Sequence, residues 1–235
     1  MSELLHGSLV FLLWVIPVLA VMGVARCILK VPDELFRKIL HFLLLGIYAV
    51  ILFTFETWWI AAGFALLLVV LIYPVLILLG RLPTFSSFVN ERWKGEYRLS
   101  LVLALSVMAI SIGICWGWLG DRYLVLACIY AWGVGDGLAA LIGKRFGKHK
   151  IHLKFTDGRK SVEGSATMFL ASTLSVLAVL LIRGGLDVGG CLIISVAAAA
   201  ASTVAELYSR NGYDTVTCPA VAMLVILPLV QLLEG

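Results

Sequence analysis

The 235-residue chain is too apolar to fold as a soluble globular protein: 62% of its residues are hydrophobic, only 14% are charged, and its mean hydropathy is +1.05. Such a composition implies a polytopic membrane protein, with the formal net charge of +4 carried mainly by its loops. The five cysteines, Cys27, Cys115, Cys128, Cys191 and Cys218, fall in or at the ends of apolar runs and show no CxxC or Cys/His spacing, so they read as free, small apolar residues and not as a disulfide or metal framework.

A span needs about 20 apolar residues to cross the hydrocarbon core. Eight runs meet or approach that length: Gly7–Ala25, Ile39–Phe55, Thr57–Gly80, Leu99–Gly120, Tyr123–Gly143, Gly164–Ile182, Val188–Ala205 and Thr215–Leu233. The second and seventh are short and can borrow a turn from their flanks. The first follows Glu3 with no Lys or Arg before Arg26, unlike the basic leader of a signal peptide, and is expected to be retained as a span. Neither an internal repeat nor a low-complexity linker breaks the pattern. The expected fold is all-α: one integral membrane domain over residues 1–235, a transmembrane helical bundle of about eight spans.

Charge alternates across the connections. Alternate loops hold four (Arg26 to Lys38), four (Arg81 to Arg98), seven (Lys144 to Lys160) and one (Arg210) of the 18 basic residues, while the other side has Arg122 and Arg183. The positive-inside rule places the rich side in the cytoplasm and both termini on the non-cytoplasmic side. The polar constellations then share one face, which suits an enzyme joining a cytosolic nucleotide to a membrane lipid better than a pore or carrier. Trp58, Trp59, Trp93, Trp116 and Trp118 read as interfacial anchors.

Taken in chain order, the first constellation is Pro32-Asp33-Glu34-Leu35-Phe36-Arg37-Lys38-Ile39-Leu40-His41. Asp33/Arg37 and Glu34/Lys38 have the i,i+4 spacing of local ion pairs. Arg37 and His41 also share a face and could meet a phosphate or orient a hydroxyl, although His41 reads equally as a satisfied buried histidine. Asp136 is the most informative residue. It interrupts the uncharged run Tyr123–Gly143, and an acid there costs roughly 2.5–3.5 kcal/mol on insertion scales. It therefore needs a partner, a cavity or a cation. Gly143 lies two turns further on, placing Asp136 on the order of 10 Å below the basic mouth that begins there.

That mouth, Gly143-Lys144-Arg145-Phe146-Gly147-Lys148-His149-Lys150, combines bare backbone with cations suited to phosphate oxygens. It is not a Walker A loop, because five residues separate Gly137 from Gly143 and Arg145 stands where Ser or Thr would bind magnesium. A headgroup anchor is the plainer reading of its lysines, as close helix packing is for the nearby glycines. In Lys160-Ser161-Val162-Glu163-Gly164-Ser165, Ser161 can cap the next helix and Glu163 falls in its first turn. The same N-terminus can hold a phosphate beside Lys160, with Glu163 as a metal or water ligand. Finally, Glu206 and Asp214 flank the last turn. Glu206 could simply pair with Arg210, or both acids could complete a carboxylate set for Mg²⁺ with Asp136.

The ordered set Arg37-Lys38-x-x-His41, the block from Asp136 to Lys150, Lys160-Ser161-Val162-Glu163-Gly164-Ser165 and the final acids resembles the polytopic lipid kinases that include dolichol kinase, phytol kinase and CTP-dependent diacylglycerol kinase. Phosphatidate cytidylyltransferase is distantly similar. The resemblance covers roughly residues 30–220. It implies activity-linked positions at Arg37, Lys38, Asp136 and Gly143 and a nucleotide–metal region at Lys160, Glu163 and Asp214. Where the family commonly has Asp-Asn, this chain has Asp214-Thr215, keeping an oxygen and losing the amide. The longer cytidylyltransferase signature is not recognisable.

The resulting expectation is a Mg²⁺-dependent membrane kinase moving the γ-phosphate of CTP, or ATP, to a lipid alcohol such as diacylglycerol or a polyprenol. Asp136, Arg37, Lys38 and His41 are the catalytic candidates. Gly143, Lys144, Gly147, Lys148, Lys150, Lys160 and Ser161 are the nucleotide-phosphate candidates, and Asp136, Glu163, Glu206 and Asp214 the metal candidates. Two alternatives stay open, a cytidylyltransferase making CDP-diacylglycerol and a non-enzymatic transporter. No nucleic-acid partner is expected, and the sequence is silent on oligomeric state, with a homodimer still open.

Overall fold

The computed structural model describes residues 2–29, 31–81, 95–151, 160–210 and 212–234. Trp93, and the basic residues Lys30, Arg92, Lys94, Lys154 and Arg159 counted among the loop charges, lie outside the described residues. The described fold is helical, with eight helices long and apolar enough to cross a membrane. They are α1 (Glu3–Leu29), α2 (Asp33–Thr54), α3 (Trp58–Leu79), α4 (Glu96–Ser111, continued by a π-helical stretch Ile112–Trp118), α5 (Arg122–Phe146), α6 (Val162–Arg183), α7 (Val188–Tyr208) and α8 (Asp214–Glu234). Each matches one apolar run in the sequence. The short second run gains its length at the N-terminus, because the polar turn from Asp33 to Lys38 is itself helical. The helices group into two compact units, Met1–Gly117 and Trp118–Gly235.

The first unit holds α1 to α4. The Glu3 carboxylate accepts the backbone N–H groups of Glu56 and Thr57, both at 2.9 Å, and the Thr57 hydroxyl at 2.7 Å, so α1 satisfies orphan donors at the start of α3. Phe11, Phe55 and Phe64 pack edge-on and tilted at centroid distances of 5.3 and 5.0 Å. Trp58, Trp59 and Trp118 are exposed as anchors should be, but Trp116 is 8% exposed and belongs to the core.

The second unit holds α5 to α8 and is built around α5, the most buried of the spans. Asp121 caps α5, accepting from Tyr123 N at 2.8 Å and Leu124 N at 3.3 Å. Small residues let α6 approach: a Cβ on Gly135 would stand 2.2 Å from Ser172 Oγ. In return the Ser172 hydroxyl donates to the Ala131 carbonyl at 2.5 Å, and that of Ser175 to the Tyr130 carbonyl at 3.2 Å. The bland reading of glycine as close packing thus holds at Gly135. Ala198, Ala199, Ser195 and Ser202 of α7 are fully buried in the same way. Outward positions such as Leu170, Leu174, Ile193 and Leu224 are large, apolar and exposed, as a helix facing acyl chains requires. All five cysteines are free, and all but Cys27 are buried.

Candidate active site

At one end of the second unit the C-terminal half of α5 meets the start of α6, the end of α7 and the start of α8. Asp136 lies ten residues before the end of α5 and is half-buried. Glu206 lies in the last turn of α7, and Asp214 is tied to α5 through Trp132, one turn before Asp136. Three acids from three helices therefore lie toward this end of the unit. Asp214 stands at the first residue of α8, where the helix dipole favours a negative charge.

Lys160 answers this negative charge. Its Nζ lies 2.8 Å from Glu206 Oε1 and donates to the carbonyls of Glu206 and, at 3.4 Å, Ser209. It thus neutralises one acid and caps the C-terminus of α7 with a cation. Both side chains are largely buried, at 17% and 14% exposure. Glu206 is paired with Lys160 and not with Arg210, which lies just past the end of α7 and is exposed.

The basic mouth is organised by glycines. Ser161 caps α6, its Oγ accepting from Gly164 N at 3.2 Å. A Cβ on Gly147 would fall 2.2 Å from the Gly143 carbonyl and 2.4 Å from Ser161 Oγ. One on Gly143 would fall 3.2 Å from Gly164 Cα. Ends of α5 and α6 therefore touch through bare backbone. A short antiparallel bridge pairs Lys150 with Ser161, with Ile151 N donating to Lys160 O and Val162 N to His149 O, each at 2.9 Å. Glu163 fastens the same turn, its carboxylate 2.7 Å from His149 Nδ1 and accepting from His149 N at 3.2 Å. Lys144, Lys148 and Lys150 stand exposed around it.

Deeper in, Trp132 lies one turn before Asp136 on α5 and is 3% exposed. Its Nε1 donates to Asp214 Oδ2 at 3.3 Å. Its ring packs with Met168 and Cys218, bordered by Ala139 and Ala205, and forms an apolar floor below the acids. The Ser202 hydroxyl, one turn below Glu206, is fully buried without a hydrogen-bond partner among the described residues.

In the first unit, Arg37 bonds Glu96 at 2.7 Å and approaches Glu34 at 4.0 Å, while Asp33 pairs with Arg26. Lys38 is buried and His41 stacks edge-on with Phe42. Sequence reading missed Glu96 and Trp132. The i,i+4 spacing of Trp132 to Asp136 was the available signal; Glu96, 59 residues from Arg37, offered none.

Among the described residues no three His, Cys, Asp or Glu side chains close into a group that would hold a metal alone. Carboxylates on separate helices would suit an ion that takes one or two of them and completes its shell with phosphate oxygens and water.

The chain is 34% identical over 208 residues to phytol kinase of Synechocystis sp., an alignment covering 83% of this chain and 78% of that protein. The chain belongs to the family of membrane lipid kinases that includes phytol kinase. No family model matches the sequence, and no solved structure matches the fold. Its eight apolar helices and this kinship make it an integral multi-pass membrane protein.

Proposed function

We propose that the protein transfers the γ-phosphate of CTP to the hydroxyl of a lipid alcohol, with Mg²⁺, at the cytoplasmic end of the second unit. The observation that carries this reading is the placement of Asp136, Glu206 and Asp214 on three helices at the end of the unit that bears the lysine- and glycine-lined rim of Gly143–Lys150. Asp136 and Asp214 are the favoured metal carboxylates. Lys160 already neutralises Glu206, and Glu163 is tied to His149, so these two acids are secondary candidates. Bound there, Mg²⁺ would offset charge developing on the nucleotide phosphates. Lys144, Lys148 and Lys150 would hold the phosphates from the rim, with Gly143, Gly147 and the Ser161-capped start of α6 lending bare backbone. Lys160 would set the position of Glu206 and the end of α7.

The lipid hydroxyl oxygen attacks the γ-phosphorus, the bond to the β-phosphate oxygen breaks, CDP leaves, and the hydroxyl proton passes to a base. Asp136 is the candidate base at this end, and family resemblance alone keeps His41 of the first unit as the other. Family resemblance alone makes Arg37 and Lys38 candidates for phosphate contact. An isoprenoid alcohol is the favoured acceptor, because the relative is a phytol kinase; diacylglycerol is the competitor.

The test is purified protein in lipid–detergent micelles with Mg²⁺ and CTP or ATP labelled on either the α- or the γ-phosphate, offered phytol, longer polyprenols, diacylglycerol and phosphatidate. Label entering an alcohol from the γ position alone is the expected result. Label entering phosphatidate from the α position would replace the kinase reading with cytidylyl transfer.

A further inference from the structure

The function proposed above depends on how Asp214, the first residue of α8, is oriented. Trp132 supplies the restraint. A buried indole N–H needs an acceptor, and here it donates to Asp214 Oδ2 at 3.3 Å. Its ring cannot swing away freely, because Met168 of α6 and Cys218 of α8 pack on it. Cys218 lies one turn beyond Asp214, so both the acid and the residue beneath it are gripped by the same side chain. Trp132 also shares a face of α5 with Asp136, one turn on. The register of a single helix therefore sets both the position of Asp136 and the orientation of Asp214.

We propose that Trp132 is a positioning residue: its indole N–H orients the Asp214 carboxylate toward the metal–nucleotide shared with Asp136. The inference rests on the kinase reading. Its consequence is specific to the N–H. Removing that hydrogen while keeping the ring leaves the apolar floor intact but removes the bond from the indole to the carboxylate.

The experiment compares wild type with Trp132→Phe and with the benzothienyl isostere of tryptophan incorporated at position 132, which keeps the ring shape and replaces N–H by sulfur. Three quantities are read: the melting temperature, Mn²⁺ affinity by electron paramagnetic resonance in the presence of CDP, and kcat against Mg²⁺ concentration. For the isostere the expected result is an unchanged melting temperature, with Mn²⁺ affinity and kcat each lower by about tenfold. In an Asp214→Asn background the isostere should cause no further loss of Mn²⁺ affinity. Unchanged Mn²⁺ affinity and kcat in the isostere, or an undiminished effect in the Asp214→Asn background, would overturn the proposal. An inactive wild type that still binds Mn²⁺ through Trp132 and Asp214 would instead reject the kinase reading and leave the positioning role standing.

Discussion

The two ends of the second unit handle charge in opposite ways. At the end away from Asp136, Arg183 is shared between Asp121, which caps α5, and Glu234 in the last turn of α8, with a second contact to Glu234 at 3.0 Å. Gly184 and Gly185 make the turn beside it at φ +74° and +84°, a left-handed pair that side chains would strain, and a Cβ on Gly185 would meet Glu234 Oε1 at 2.7 Å. An open concavity of about 370 Å³ lies here, lined by Asp121, Arg122, Tyr123, Arg183 and Glu234 among others. It touches none of the candidate residues, and its central cation is already matched by acids. At the other end Asp136, Glu206 and Asp214 come from three helices, and Lys160 is bonded to Glu206. Opposite charges in a closed contact tie helices together; the acids at the other end are the ones the proposed function uses.

The strongest way to break this contrast is Asp136→Asn. It should lower kcat by at least ~100-fold, while circular dichroism and the elution profile stay those of the wild type. Chelating divalent ions should likewise stop label transfer, and added Mg²⁺ should restore it. Wild-type turnover in Asp136→Asn would remove the functional half of the comparison.

Next in size are the two buried cations. Lys160→Met and Arg183→Met each strand largely buried acids and should each cost about 3 kcal/mol of stability. The readouts separate them. Lys160→Met should also depress kcat in the protein that remains folded, whereas Arg183→Met should leave kcat and nucleotide KM within about twofold of wild type, as expected of a contact distant from the chemistry. Equal losses of activity in both variants would erase the distinction between the ends.

Smaller again is Gly135→Ala, whose Cβ would overlap Ser172 Oγ at 2.2 Å. Overpacking of this kind should cost about 1–3 kcal/mol, and Ser172→Ala in the same chain should recover part of it, measured as a melting-temperature cycle. The smallest effect belongs to His149→Ala. His149 is 78% exposed on its contact with Glu163, so the melting temperature should not move measurably, and nucleotide KM should rise by about twofold at most.

Much of the site was legible because the membrane penalises polarity. Asp136 stood out since an acid in an apolar run must be explained, and Ser161 because a helix start needs a cap, which the bond from Gly164 N provides. The lysines and glycines of the rim were visible as a run, though their arrangement was not: only the touching of Gly143 and Gly164 explains why both must be bare. Local pairing rules did less well. Spacing suggested Asp33 with Arg37 and Glu206 with Arg210, whereas Asp33 pairs with Arg26, Arg37 with Glu96, and Glu206 with Lys160. An i,i+4 pair on a helix surface gains only a few tenths of a kcal/mol, so a better-desolvated partner on another element readily displaces it.

By itself the sequence determined the number of spans, their bounds to within a few residues and the apolar character of their outer faces, because the thickness and dryness of the hydrocarbon core set length and composition with little regard to tertiary contacts. It also marked the acids and the basic rim. Tertiary structure alone decided which charges meet. Lys160 finds Glu206 across 46 residues, Arg183 finds Asp121 across 62, and Trp132 finds Asp214 across 82. Such partnerships depend on which helices lie side by side and on their axial rotation, and the packing of small residues such as Gly135 against Ser172 determines both through contacts that no local pattern records.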